Sequence, residues 1–157
     1  MTDFADQALL DDLESAPIAA FESLTNEDAV ALGLAAVDLI RERSLNLAVD
    51  VVLHGDLVFR AKLGSTGPDN DPWLAGKAAT ARTYAAPSLL VRLRHEAEGA
   101  PFEERAVDGV TLRAAGGSVP LYVADELVGT LTLSGEPDTV DHATAVAALD
   151  VFTAARR

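Results

Sequence analysis

The residues best able to act on a ligand lie in two short stretches. Gly64-Ser65-Thr66-Gly67-Pro68-Asp69-Asn70-Asp71-Pro72-Trp73 gathers turn formers, two carboxylates and an amide just ahead of a helix that opens with the only tryptophan of the chain. Ala115-Gly116-Gly117-Ser118-Val119-Pro120 is a second glycine-rich corner, leading into a strand. Helix N-terminal N–H groups attract anions, and successive glycine N–H groups can do the same. Lys77, one of two lysines in the chain, falls one helical turn beyond Trp73. Asp69, Asn70, Trp73, Lys77, Gly116, Gly117 and Ser118 are therefore candidate ligand contacts. In that arrangement the ammonium of Lys77 meets an anionic group, Trp73 meets a planar or apolar part, and the glycine N–H groups orient a polar edge. Neither stretch has the spacing of a dinucleotide or Walker loop.

Three histidines, His54, His95 and His142, complete the set of chemically versatile groups. His54 reads as a hairpin turn residue and His95 as a solvated helix residue. His142, in the first turn of a terminal helix beside Asp141, is the candidate for proton transfer or axial ligation of haem, since one imidazole is enough to hold that iron. No pair of histidines has metal-site spacing, so no metal centre is expected. Ser134 has no nucleophile-elbow context, so its pairing with His142 as a hydrolase site is disfavoured.

Composition limits the partners. The 157 residues carry a formal net charge of -13, with 12 basic against 25 acidic side chains and no basic stripe, which excludes a bare nucleic-acid backbone as partner. There are no cysteines, hence no disulfides, thiolate nucleophiles or thiolate-bound metals. No stretch is long and apolar enough for a membrane span, and the first residues lack the pattern of a signal peptide; a cytoplasmic location is expected. With 49% hydrophobic residues, the length suits one domain with its own core.

The elements that must position these residues follow from periodicity. Asp3 to Ser15 reads as an acidic helix with Phe4, Leu9, Leu10 and Leu13 as apolar contacts, ended by Pro17. Residues 1–20 are thus expected to be a helical extension and 21–157 the domain proper. Asn26 to Arg43 has amphipathic spacing behind a Thr25/Asp28 capping box. Leu47 to Leu53 and Leu57 to Leu63 alternate as strands; a three-residue His54-Gly55-Asp56 loop pairs Val51 with Phe59 and Asp50 with Arg60, leaving Leu57, Phe59 and Ala61 on the apolar face. Asp71 is placed as the cap of a helix beginning at Pro72. Ser88 to Glu98 is read as helix, Pro101 to Val110 as irregular connection, Val119 to Ala124 and Leu127 to Ser134 as an antiparallel pair, and Asp138 to Ala155 as a terminal helix apolar around most of its girth. The sum is an α+β domain with a mainly antiparallel sheet of four or five strands and helices mainly on one face.

Taken in order, Leu24-Thr25-Asn26-Glu27-Asp28-Ala29, Val58-Phe59-Arg60-Ala61, Thr66-Gly67-Pro68-Asp69-Asn70-Asp71 with Trp73 and Lys77, Pro101-Phe102-Glu103-Glu104, Gly116-Gly117-Ser118, Gly129-Thr130-Leu131-Thr132-Leu133-Ser134-Gly135 and Asp141-His142 resemble the UPF0303, Ybr137w-like family. That family lies within the haem-degrading, HbpS-like and GlcG-like superfamily. The resemblance implies a GlcG-like, profilin-like fold, a homo-oligomer and a haem-related ligand. Members of the resembled family typically show a histidine where this chain has Ala115. Two further readings stand beside ligand binding. One is a homo-oligomeric scaffold joined through the apolar terminal helix; the other is a haem-degrading enzyme in which Lys77 and His142 are the candidate residues.

Overall fold

A computed structural model describes residues 3–156; Met1, Thr2 and Arg157, which belong to the two expected segments, lie outside them. Helix α1 (Phe4–Ser15) is followed by strand β1 (Ala20–Phe21), helix α2 (Asn26–Glu42), and strands β2 (Ala48–Leu53) and β3 (Asp56–Lys62). A 3-10 turn, Pro68–Asn70, leads into α3 (Asp71–Tyr84) and then α4 (Ser88–Glu98). The short strands β4 (Ala106–Val107) and β5 (Val110–Thr111) precede β6 (Ser118–Val123), β7 (Glu126–Ser134) and α5 (Asp138–Ala155). The main sheet has the order β1-β6-β7-β2-β3, antiparallel except for β1, which runs parallel to β6; β4 and β5 form a separate hairpin. The fold is mixed α+β with a sheet dominated by antiparallel pairs.

One sheet face is apolar because the strands alternate. Val49 and Val51 of β2, Leu131 and Leu133 of β7 and Leu121 of β6 turn toward Leu32, Ala36 and Ile40 of α2 and Ala148 and Phe152 of α5. Thr25 starts α2 as its sequence demands: its hydroxyl accepts from Asp28 N–H at 3.1 Å, and Thr25 N–H donates to the Asp28 carboxylate at 2.8 Å.

The opposite face departs from the expectation of helices mainly on one face. It presents Ser118, Thr130 and Thr132, all fully buried, and α3 lies across β7 and β6 there. Apart from Leu74, the buried apolar side chains of α3 are the alanines Ala78, Ala79 and Ala81, while Gly76 lies against Thr111 and Arg113. Small residues on the helix allow close approach to a face of small polar residues, so neither side carries the large apolar pattern that announces a buried layer.

The β2–β3 hairpin departs from the expected loop. Leu53 pairs with Asp56 across a two-residue turn in which His54 and Gly55 have φ of 52° and 77°, and a bulge at Val58 restores Val51 opposite Phe59 and Asp50 opposite Arg60. The pairing of the strand centres agrees with the sequence reading, but the bulge puts Leu57 opposite Val52, on the other face and exposed. Phe4 is solvent-exposed, so α1 is held instead by Leu10, Leu9 and Leu13 against α4. The connection expected to be irregular contains the β4–β5 hairpin, turned at Asp108-Gly109. Strand β1 escapes a periodicity argument because it is two residues long.

Candidate functional site

Helix α3 begins one residue earlier than expected. Asp71 is inside its first turn and does not cap it; its carboxylate pairs with Lys62 at 2.7 Å and lies 3.6 Å from Arg60. These two cations hold the Asp71 carboxyl below the usual range, through the Lys62 hydrogen bond first. Asn70 closes the preceding turn by accepting from Gly67 N–H at 2.9 Å. The bidentate Arg60–Asp50 contact, at 2.7 and 2.8 Å, anchors the same cluster to β2. The polar stretch is thereby fixed on the rim of the sheet.

From this anchored start, Asn70, Trp73 and Lys77 descend along one wall of a recess of about 390 Å3. Ala115 stands on a second wall, and Ser134, Glu136, Asp138 and Asp141 come from the β7–α5 junction. Trp73 stays 42% exposed at the mouth, with the Arg113 guanidinium 4.6 Å from its ring centre. Arg113 is held there by backbone: its N–H reaches Thr80 Oγ1 at 2.9 Å, and Thr80 in turn donates to Gly76 O at 2.8 Å.

At the bottom, Lys77 Nζ donates to Asp141 Oδ2 at 2.8 Å and to Leu133 O at 3.2 Å. Both side chains are sealed, Lys77 at 2% exposure and Asp141 at 1%. Burial pushes the Asp141 carboxyl up, against the opposing pull of Lys77 and of the Glu136 and Gly135 N–H groups. Asp138 is committed to Arg92 at 2.7 and 3.2 Å and to Gly116 N–H at 2.9 Å.

The candidate residues do not all meet the recess. Asn70, Trp73 and Lys77 line it, whereas Asp69 is exposed on the turn outside. Gly116 and Gly117 stand behind it. The Gly116 N–H is spent on Asp138, and Gly117 leaves the space that Lys77 uses: a Cβ there would lie 3.1 Å from Nζ and 2.2 Å from Leu133 O. Ser118 is beneath the surface, its hydroxyl 2.9 Å from Thr132 Oγ1 and its N–H on Ser88. Trp73 and the glycine corner thus converge, with Lys77 between them. The partners that the sequence reading missed are Asp141, Glu136 and Asp138. Asp141 is 64 positions from Lys77, and no local spacing links them.

His142 is elsewhere. It borders a groove of about 450 Å3 walled by Pro17, Ile18, Phe21, Val146 and Leu149. Its Nδ1 is buried without a hydrogen-bond partner, and burial lowers its pKa, partly countered by Asp138. The unfolded ring, with an ordinary pKa near 6.5, therefore binds protons more readily than the folded one. Thermal stability is expected to fall as pH drops from about 6.5 toward the lowered folded value, and a His142→Phe variant should lose that part of the slope between pH 7.5 and 5; an unchanged slope would refute the assignment. His95 is not simply solvated: Nδ1 lies 2.9 Å from Val91 O and the ring meets Tyr84 and Phe102 edge-on. Among the described residues no cluster of three or more His, Asp or Glu side chains is arranged to hold a metal, and no helix is long and apolar enough to cross a membrane.

A five-stranded, mostly antiparallel sheet clasped by α2 and α5 on one side and α3 on the other, with a recess at the end of β7, defines the class. Residues 24–150 match the family described as haem degrading protein HbpS-like, and the chain belongs to that family. A UPF0303 protein of Streptomyces coelicolor is 42% identical over 134 residues, covering 84% of this chain and 85% of the relative. The crystal structure of Ybr137w superposes with a TM-score of 0.75 at 26% identity, over 97% of this chain and 96% of that one. The PduOC:heme complex has the same fold, with a TM-score of 0.65 at 24% identity over 82% of this chain and 94% of that one.

Proposed function

We propose that this chain is a small-ligand-binding protein whose ligand enters the recess between Trp73 and Lys77. The observation that carries this reading is the state of Lys77: a sealed ammonium with two protein acceptors, its third N–H without one, on the wall of an open recess. A buried charge pair is a poor way to gain stability, since desolvation offsets most of the attraction. A screen of polar metabolites by thermal shift is the test. Hits are expected that disappear in Trp73→Ala; a screen with no Trp73-dependent hit would sink the reading.

A haem-related role is supported by the family description and by the haem named in the PduOC structure. The Lys77 recess has no imidazole, thiolate or thioether on its walls, so it does not suit haem iron. The groove at His142 suits it better, because its walls are apolar except for Asp150 and Thr153 and the ring has a buried nitrogen free of protein partners. His142 would hold the iron there, and Ile18, Phe21 and Leu149 would flank the macrocycle. Haem is expected to give a saturable Soret band with the wild type and at least tenfold weaker binding with His142→Phe. Absence of saturation removes haem from the proposal without touching the Lys77 recess. Homo-oligomer formation is supported by Val30 and Leu34 of α2 and Val146 and Val151 of α5, which remain exposed, and mass measurement in solution tests it.

A further inference from the structure

Resting on the reading of the recess as a ligand site, we infer that it selects a ligand with an uncharged hydrogen-bond acceptor beside an ammonium group, such as an amino amide, and rejects simple anions. The charges on its wall are the reason. Lys77 supplies the one cation of the lining, and Asp141 already matches it at 2.8 Å; Arg113, over Trp73 at the mouth, is itself paired with Glu104 at 3.4 Å. Glu136, Asp138 and Asp141 supply three carboxylates. Arg92, standing outside the lining, neutralises Asp138 through a bidentate contact. Glu136 has no cationic partner among the described residues. One of its oxygens accepts from Asn46 N–H at 2.8 Å, and the other is uncommitted.

An incoming anion would meet Lys77 only alongside Asp141, in a recess that Glu136 also lines. Like charges in a partly desolvated recess repel strongly, so the matched ammonium cannot act as an anion trap. What Lys77 can still give is its third N–H, which an amide or ketone oxygen accepts without adding charge. The lysine is nine-tenths and more buried, and its two protein acceptors leave that third N–H without a protein partner. Glu136 then fits an ammonium on the other end of the same small molecule, and the exposed ring of Trp73 at the mouth covers its body.

Trp73 is the only tryptophan, so its fluorescence reports the recess directly. The probes are glycinamide, acetamide, acetate and inorganic phosphate, titrated into the full chain at pH 7.5 and constant ionic strength. Glycinamide is expected to give a saturable change, acetamide one at least tenfold weaker, and acetate and phosphate none. Glu136→Gln should weaken glycinamide at least tenfold while leaving acetamide unaffected and the melting temperature within a few degrees. Saturation by acetate or phosphate as tight as by glycinamide overturns the inference and leaves the ligand-binding reading intact. An unchanged glycinamide titration in Glu136→Gln overturns it as well. Silence from all four probes also overturns it, whereas the ligand-binding reading falls only if the metabolite screen yields no Trp73-dependent hit.

Discussion

Replacing Lys77 by methionine is expected to cost about 3–5 kcal/mol of folding free energy at neutral pH, the range for breaking a buried pair by removing one partner. Methionine fills much of the same volume, so the loss reports charge more than packing. What remains is the Asp141 carboxylate at 1% exposure, holding only the Glu136 N–H at 3.0 Å and its Gly135 neighbour. Burial already pushes this carboxyl above its ordinary value, and losing Lys77 removes the largest opposing influence. The folded variant would then take up a proton at a pH where the unfolded chain is still ionised. Its deficit should therefore shrink as pH falls from 7.5 toward 5, because protonation favours the state with the higher pKa. Urea denaturation of wild type, Lys77→Met and Lys77→Met/Asp141→Leu at both pH values tests this. The double variant is expected to regain most of the loss. If single and double variants are equally unstable at pH 7.5, unpaired charge is not the cause.

Gly117→Ala is the second large effect. Gly117 has φ of 137°, a region that side-chain-bearing residues rarely enter, and forcing one there costs about 1–3 kcal/mol. Steric overlap adds to that, since the new Cβ would lie 2.2 Å from Leu133 O, a backbone atom that cannot swing aside. The same carbonyl accepts from Lys77, so displacing it disturbs the floor of the recess. A lowered melting temperature together with altered Trp73 emission is expected. Gly67→Ala is the control: nothing lies within 4 Å of its Cβ position and its backbone is extended, so a change within about 0.5 kcal/mol is expected there. Equal losses in the two variants would contradict the geometry.

The sequence showed the parts with one dominant local signal. Thr25 and Asp28 announced the start of α2, alternation announced β2 and β7, and the Asp50–Arg60 pairing followed from keeping apolar residues on one face. The layer formed by α3 was hidden because one leucine, Leu74, among alanines packed near threonines leaves no hydrophobic period. The bulge at Val58 was hidden because a compensated register looks like a longer loop. At the recess, Asn70, Trp73 and Lys77 could be proposed because they sit on one helix and its entry turn. Asp141 and Glu136 arrive from the other end of the chain, and their association with Lys77 is a fact of tertiary closure. His142 was grouped with them by its chemistry, but α5 turns it to the far side of Asp141, toward the N-terminal segment.

Strand β1, short as it is, has a consequence for how copies of this protein can meet. Along the outer margin of β6, Ser118 N–H is taken by Ser88, Pro120 has none to give, and Tyr122 N–H is taken by Ala19. The other margin is β3, broken by its bulge and studded with Asp56, Arg60 and Lys62. Neither border offers a long, flat, unpaired backbone to a neighbour, so ribbon-like growth by strand addition is blocked at both ends. Any association between copies would then have to use surfaces other than the sheet borders, and a mass measurement on Leu34→Glu, whose leucine is exposed on α2, tests whether that helix is one of them.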